Sequence, residues 1–174
     1  MTRITVILAT VLSFMAFTPL AAQQTDCDGW SPSDSEVSKP FWEAASVDTV
    51  SDCLMSGADL NARAENGFTP LHWAALYNEN PEVIIALLDA GADVNTRGVG
   101  GSTPLNRAAL HNENPEVLTL LLEAGADVNT RDGNGGTPLQ MAAWFNENPE
   151  VIIVLLDAGA DVNAVNEYGN TPLH

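Results

Sequence analysis

A short phrase that returns at a fixed interval limits the fold of this chain more than any other feature. Thr69-Pro70-Leu71-His72 recurs as Thr103-Pro104-Leu105-Asn106, Thr137-Pro138-Leu139-Gln140 and Thr171-Pro172-Leu173-His174, each 34 residues after the last. Two more blocks keep the same register. Asn78-Glu79-Asn80-Pro81-Glu82-Val83 has counterparts from Asn112 and Asn146, and Gly91-Ala92-Asp93-Val94-Asn95 has counterparts from Gly125 and Gly159. These blocks punctuate helices. Thr69 is a favourable N-cap, and Pro70 stands at the first helical position, where a missing N–H costs nothing. Leu71, Ala74 and Ala75 line one side of the helix expected over Pro70–Tyr77, and the paired alanines permit close approach of a neighbour. Asn80-Pro81 starts a second helix, in which Val83, Ile84, Leu87 and Leu88 have the spacing of a packed face. Gly91 supplies the left-handed residue that ends it, and a Gly- and Asn-rich connector leads to the next Thr-Pro. One such unit cannot bury its apolar face alone, so the units must stack into an all-α repeat solenoid with a period of 34 residues.

With these motifs, TPLHWAA followed by PEVIIALLDAGADVN, the chain resembles the ankyrin-repeat family over about residues 41–174. The resemblance implies antiparallel helix pairs, a β-hairpin-like loop projecting as a finger, and a concave protein-binding surface. The expected organisation is a degenerate N-terminal cap repeat at about 41–66, full repeats at about 67–100, 101–134 and 135–168, and a truncated repeat at 169–174. Three departures stand out. The family period is about 33 residues, and the extra residue here falls in the Asn-Glu-Asn-Pro turn. Arg107 occupies a position that is apolar in the family and is Trp73 and Met141 in the flanking copies, which implies less burial there. The family histidine survives at His72 and His174 but is replaced by Asn106 and Gln140. Because the chain stops inside an opening tetrapeptide, either it is a fragment of a longer protein, the favoured reading, or its last full repeat ends in exposed apolar surface.

The first residues read as an export signal. Met1–Arg3 carries one positive charge, Ile4–Phe17 is apolar or small, and Pro19-Leu20-Ala21-Ala22-Gln23 offers a cleavage site after Ala22. Residues 1–22 are therefore expected to be a signal peptide, with an uncleaved membrane anchor as the alternative. A periplasmic or secreted protein, free of the membrane after cleavage, is the expected product. Residues 23–40, with Ser31-Pro32-Ser33-Asp34-Ser35-Glu36, are expected to form an extended leader. Cys27 and Cys53 are a disulfide candidate in an oxidising compartment, the alternative being that Cys53 is a small core hydrophobe.

Charge narrows the partners. The chain has 23 acidic and 6 basic residues, a net charge of −17. Such a surface repels phosphate backbones and anionic headgroups, and it has no clustered Lys and Arg for counterion release. Nucleic acid is excluded as a partner. A catalytic function finds no support either. Gly98-Val99-Gly100-Gly101 lacks the preceding strand and following lysine of a phosphate loop. Asp127-Val128-Asn129 with Asp132-Gly133-Asn134 lacks calcium-loop spacing and its closing glutamate. No Ser, His and acid form a recognisable triad, and neither cysteine has a histidine nearby in sequence. The expectation is a non-enzyme with no cofactor and no metal.

What remains is binding, and it is read from the positions that vary between copies. After each Ala-Ala stand Leu76 and Tyr77, Leu110 and His111, and Trp144 and Phe145. The resemblance places these on the concave surface, where aromatics suit binding hot spots; packing against adjacent repeats is the alternative. Arg63, Arg97 and Arg131 recur at one loop position, a column that Val165 interrupts. A guanidinium ladder suits carboxylates on a partner; the alternative is local pairing with acids such as Glu65 and Asp132. The favoured function is a monomeric, non-catalytic protein–protein interaction module using the concave helix face and loop tips. The alternatives are a structural or protective accessory of an envelope enzyme or complex, and the repeat segment of a longer protein.

Overall fold

The computed structural model describes residues 27–30 and 35–173; the segment read as a signal peptide, with its cleavage site, lies outside them. Eight helices occur among the described residues: α1 Ser35–Ala44, α2 Val47–Met55, α3 Pro70–Tyr77, α4 Pro81–Asp89, α5 Pro104–His111, α6 Pro115–Glu123, α7 Pro138–Phe145 and α8 Pro149–Asp157. The helices begin where the sequence places their caps. Thr103 Oγ1 accepts from the Asn106 N–H, and Thr137 Oγ1 from the Gln140 N–H. Asn80, Asn114 and Asn148 accept from the N–H groups of Glu82, Glu116 and Glu150. Gly91 follows α4 with φ +98° and open space where a Cβ would stand, so conformation rather than crowding requires glycine there.

The helices stack in two rows. α1, α3, α5 and α7 pack successively into an inner row, and α2, α4, α6 and α8 into an outer row. Leu71, Ala74, Ala75, Val83, Ile84 and Leu87 are buried in one continuous core with their equivalents Leu105, Ala108, Ala109, Val117, Leu118 and Leu121, and with Leu139, Ala142, Val151 and Leu155. The alanines let inner helices approach closely, and branched residues of the outer row fill the space behind them. Each loop closes with one main-chain hydrogen bond across its base, from Ala64 to Phe68, Gly98 to Ser102, Asp132 to Gly136 and Asn166 to Asn170. Neighbouring fingers are joined by bonds from Val99 to Asn66 and from Glu167 to Asn134. The fingers are hairpin-like in path, but none of the described residues forms a strand.

The expected extended leader needs correction. Residues 35–40 are the first turns of α1, and Trp30 is buried, with its Nε1 donating to the Asp59 carbonyl at 2.9 Å. Its ring packs 5.4 Å from that of Trp42, which is fully buried. A polar, proline-containing stretch gives no local helix signal; burial of Ser38, Trp42 and Ala45 holds it in place. Cys27 and Cys53 form a disulfide, which fastens the Trp30 turn to α2. That first unit has a short inter-helix turn, Ala45-Ser46.

At the other end, Ala143 is exposed whereas Ala75 and Ala109 are buried, and Ile152 is half-buried whereas Ile84 and Leu118 are buried. An apolar groove of about 120 Å³ lies there, lined by Leu139, Ala143, Ile152, Leu156, Val162 and Leu173.

Candidate protein-binding surface

The ends of the inner helices form the candidate surface, and one asparagine per repeat positions them. Asn78 closes α3 and donates from Nδ2 to the Trp42 and Ala45 carbonyls at 2.6 and 2.8 Å. Asn112 donates to Ala75 and Asn78 at 3.0 and 2.9 Å, and Asn146 to Ala109 and Asn112 at 3.2 and 2.9 Å. The Oδ1 of each accepts from the N–H two residues on, turning the chain into the outer helix. The second asparagine of the turn adds a rung: Asn114 donates to the Glu79 carbonyl and Asn148 to that of Glu113. This explains the longer repeat. The additional turn residue belongs to a segment whose side chains satisfy main-chain carbonyls of the preceding unit.

The six residues after the Ala-Ala pairs do not behave alike. Leu76 is buried, at 7% exposure, and Leu110 and Trp144 are half-buried. Tyr77 is half-buried, His111 is exposed, and Phe145 is 56% exposed. The second residue of each pair is thus the more outward one, while Leu76 belongs to the core. Tyr77 stacks on Trp73 at 6.0 Å, and Trp144 meets Phe145 edge-on at 6.3 Å. A groove of about 240 Å³ opens between α1, α3 and α5, lined by Lys39, Glu43, Tyr77, Glu79 and His111.

The arginine column does not take the local pairing with acids that the sequence left as the alternative. Nη1 of Arg63 donates to the Arg97 carbonyl at 3.0 Å, that of Arg97 to Arg131 at 2.8 Å, and that of Arg131 to Val165 at 2.8 Å. Arg97 also reaches the Gly101 carbonyl and Thr130 Oγ1. These exposed guanidinium groups tie fingers together through main-chain acceptors, so the ladder does not need an arginine at Val165. Among the described residues the ion pair formed is Lys39–Glu43, at 3.5 Å; Glu65 and Asp132 do not pair with the column.

The buried histidine is a structural cap. His72 Nδ1 accepts from the Thr69 N–H at 3.1 Å, so the ring proton lies on Nε2, which donates to the Ser102 carbonyl at 3.0 Å. Burial pushes its pKa from 6.5 down to about 4, keeping it neutral. Gln140 performs both tasks, accepting from Thr137 and donating to Asn170. Asn106 is too short for both: its Oδ1 accepts from Thr103, while its buried Nδ2 has no partner within the protein. Arg107 is half-buried where Trp73 is buried, and its guanidinium lies 4.6 Å from the centre of the Phe68 ring. Among the described residues no three His, Cys, Asp or Glu side chains gather as metal ligands.

Two family models match the chain: one described as ankyrin repeats (3 copies) over residues 41–132, and one described as ankyrin repeats (many copies) over residues 121–174. The chain belongs to the ankyrin-repeat family. No curated protein matches it. The family assignment accounts for the paired helices and stacked fingers, and ankyrin repeats generally mediate protein–protein interaction. No helix among the described residues is long and apolar enough to cross a membrane. The Asn78, Asn112 and Asn146 ladder was not read from sequence as a structural device. Its signal was present in the exact 34-residue recurrence, but its acceptors lie 33–37 residues earlier.

Proposed function

We propose that this ankyrin-repeat protein is exported, works outside the cytoplasm, and binds a partner protein without catalysis through its concave helix face. The observation that carries this reading is the outward tier of Tyr77, His111 and Phe145, with Trp144 beside it. These positions differ between copies while the caps and core around them repeat. Exposed aromatics on a surface whose backbone is fixed by neighbouring units can bury apolar area at little conformational cost. Export is supported by the charged, apolar and small-residue order of residues 1–22, and by a disulfide, which persists in oxidising compartments. The finger arginines support stacking first; their exposed edges extend the binding surface.

The test is recovery of partners from a periplasmic extract by the wild type and by a Trp144→Ala/Phe145→Ala variant shown by circular dichroism to be folded. A partner retained by the wild type and lost by the variant is expected. Equal recovery by both overturns the concave-face reading, and cell fractionation that finds the protein in the cytoplasm overturns export.

A further inference from the structure

Three residues that break the repeat meet in one place. Phe68 stands where the other copies have Ser102, Gly136 and Asn170, and Gly98 where they have Ala64, Asp132 and Asn166. Arg107 stands where they have Trp73 and Met141. The Arg107 guanidinium lies 4.6 Å over the centre of the Phe68 ring. A Cβ at position 98 would come within 2.7 Å of Phe68 Cδ1, so the bare backbone of Gly98 gives that ring its room. His72 stacks on the same ring at 5.0 Å, and Trp73 meets it edge-on at 5.1 Å. Stacking of the units does not require this arrangement, because the other copies stack without it. Arg107 is also the cation left without a partner. Among the described residues Arg63, Arg97 and Arg131 bond finger carbonyls, and Lys39 pairs with Glu43. Arg107 forms no ion pair, and its buried Nε has no hydrogen-bond partner within the protein. Burial lowers its pKa, which Asp132 and then Tyr77 oppose. Asp132 is not within ion-pair distance, and its Oδ1 accepts from the Asn134 and Gly136 N–H groups.

We propose that Arg107, seated on Phe68, takes a single Asp or Glu side chain of the partner protein. The inference rests on the protein-binding reading above and names the chemistry of what is bound. A half-buried guanidinium without a hydrogen-bonding partner has lost water without replacing it, and a charged acceptor restores that loss. A carboxylate offers two acceptors in one plane, which match the planar fork of an arginine. The net charge of −17 repels an acidic run or a doubly charged phosphate group more than one carboxylate. A chain-end carboxylate is held by free main-chain N–H groups. Those of Gly98 and Gly101, in the finger beside Phe68, are already bonded to the Ser102 and Gly98 carbonyls. The carboxylate is therefore assigned to a side chain.

Nitrogen–proton NMR follows the Arg107 Nε–H and the Gly98 N–H as three probes are added. The probes are acetyl-Leu-Glu-Leu-amide, acetyl-Leu-Gln-Leu-amide and inorganic phosphate. The Glu peptide should shift both resonances saturably, and the Gln peptide should leave them in place. Two variants, shown by circular dichroism to be folded, are then titrated at the Gly98 N–H. Arg107→Met, which copies Met141, should abolish saturable binding. Arg107→Lys keeps the charge but loses the fork, and should bind about tenfold more weakly. Equal response to the Gln peptide, phosphate bound as tightly as the Glu peptide, no response to any probe, or unchanged affinity of Arg107→Met overturns the proposal. If Arg107→Met retains a partner that Trp144→Ala/Phe145→Ala loses, this inference fails while the broader binding reading stands.

Discussion

Asn112 donates its side-chain N–H to the main-chain carbonyl of Asn78, its own counterpart one repeat earlier, at 2.9 Å. With the second bond to Ala75 and the acceptance from Asn114, one buried amide closes α5, starts the turn to α6 and couples two units. Stability in a repeat array depends on such nearest-neighbour terms.

Replacing Asn112 with Ala removes three hydrogen bonds and leaves buried carbonyls unpaired. The expected loss is about 2–3 kcal/mol in equilibrium urea unfolding. Asn112→Asp should cost more, because it keeps the acceptor but sets a buried carboxylate against the Ala75 and Asn78 carbonyls. An aspartate variant as stable as the wild type would show that the donor side of the amide is not what couples the units.

Asn106 offers the reverse experiment. Its buried Nδ2 lacks a partner in the protein, whereas the equivalent Gln140 is one methylene longer and reaches the Asn170 carbonyl at 2.7 Å. The carbonyl of Gly136 is in the matching position for residue 106. Asn106→Gln should therefore stabilise the fold by about 1 kcal/mol and raise Tm by about 2–4 °C in calorimetry. A fall in Tm would mean that the longer side chain cannot be accommodated.

His72 makes stability depend on pH. The unfolded chain takes up this proton near pH 6.5, whereas the folded protein resists it until about pH 4, chiefly because burial disfavours the charged ring. The contribution is full above pH 6.5, declines as pH falls from 6.5 to 4, and is lost below that. Its size is on the order of 3 kcal/mol, at about 1.4 kcal/mol per pKa unit. His72→Gln, which copies Gln140, should flatten the stability curve between pH 6.5 and 4 while keeping both hydrogen bonds. Unfolding titrations at several pH values decide this, and an unchanged slope in the variant assigns the acid sensitivity elsewhere.

The Cys27–Cys53 disulfide, with a sequence separation of 26, holds Trp30 over Trp42. Cross-linking a loop of that length contributes about 3–4 kcal/mol in the chain-entropy model. Cys27→Ser/Cys53→Ser should lower Tm and shift tryptophan emission to the red as Trp30 meets water. A lower Tm without that shift would mean that the Trp30 turn stays docked without the covalent tie.

The helices α3 to α8 were legible because their signals are local. Thr-Pro and Asn-Pro cap starts, Gly91 answers a need for positive φ, and apolar spacing marks the packed side. The first part of α1, residues 35–40, was not legible, because its polar residues and Pro40 argue against a helix and only burial around Trp42 outweighs them. Leu76 and Phe145 show the same divide at the binding surface: both follow an Ala-Ala pair, yet one is core and the other 56% exposed.

The sequence by itself determined the period, the helix limits and the need to stack, since these follow from backbone hydrogen bonding within a few residues and from apolar faces that no single unit can bury. Only the tertiary structure decided what the arginines and turn asparagines do and which variable residues face outward. Those outcomes depend on carbonyls and side chains about one repeat away, brought within hydrogen-bonding distance by the stacking of the units.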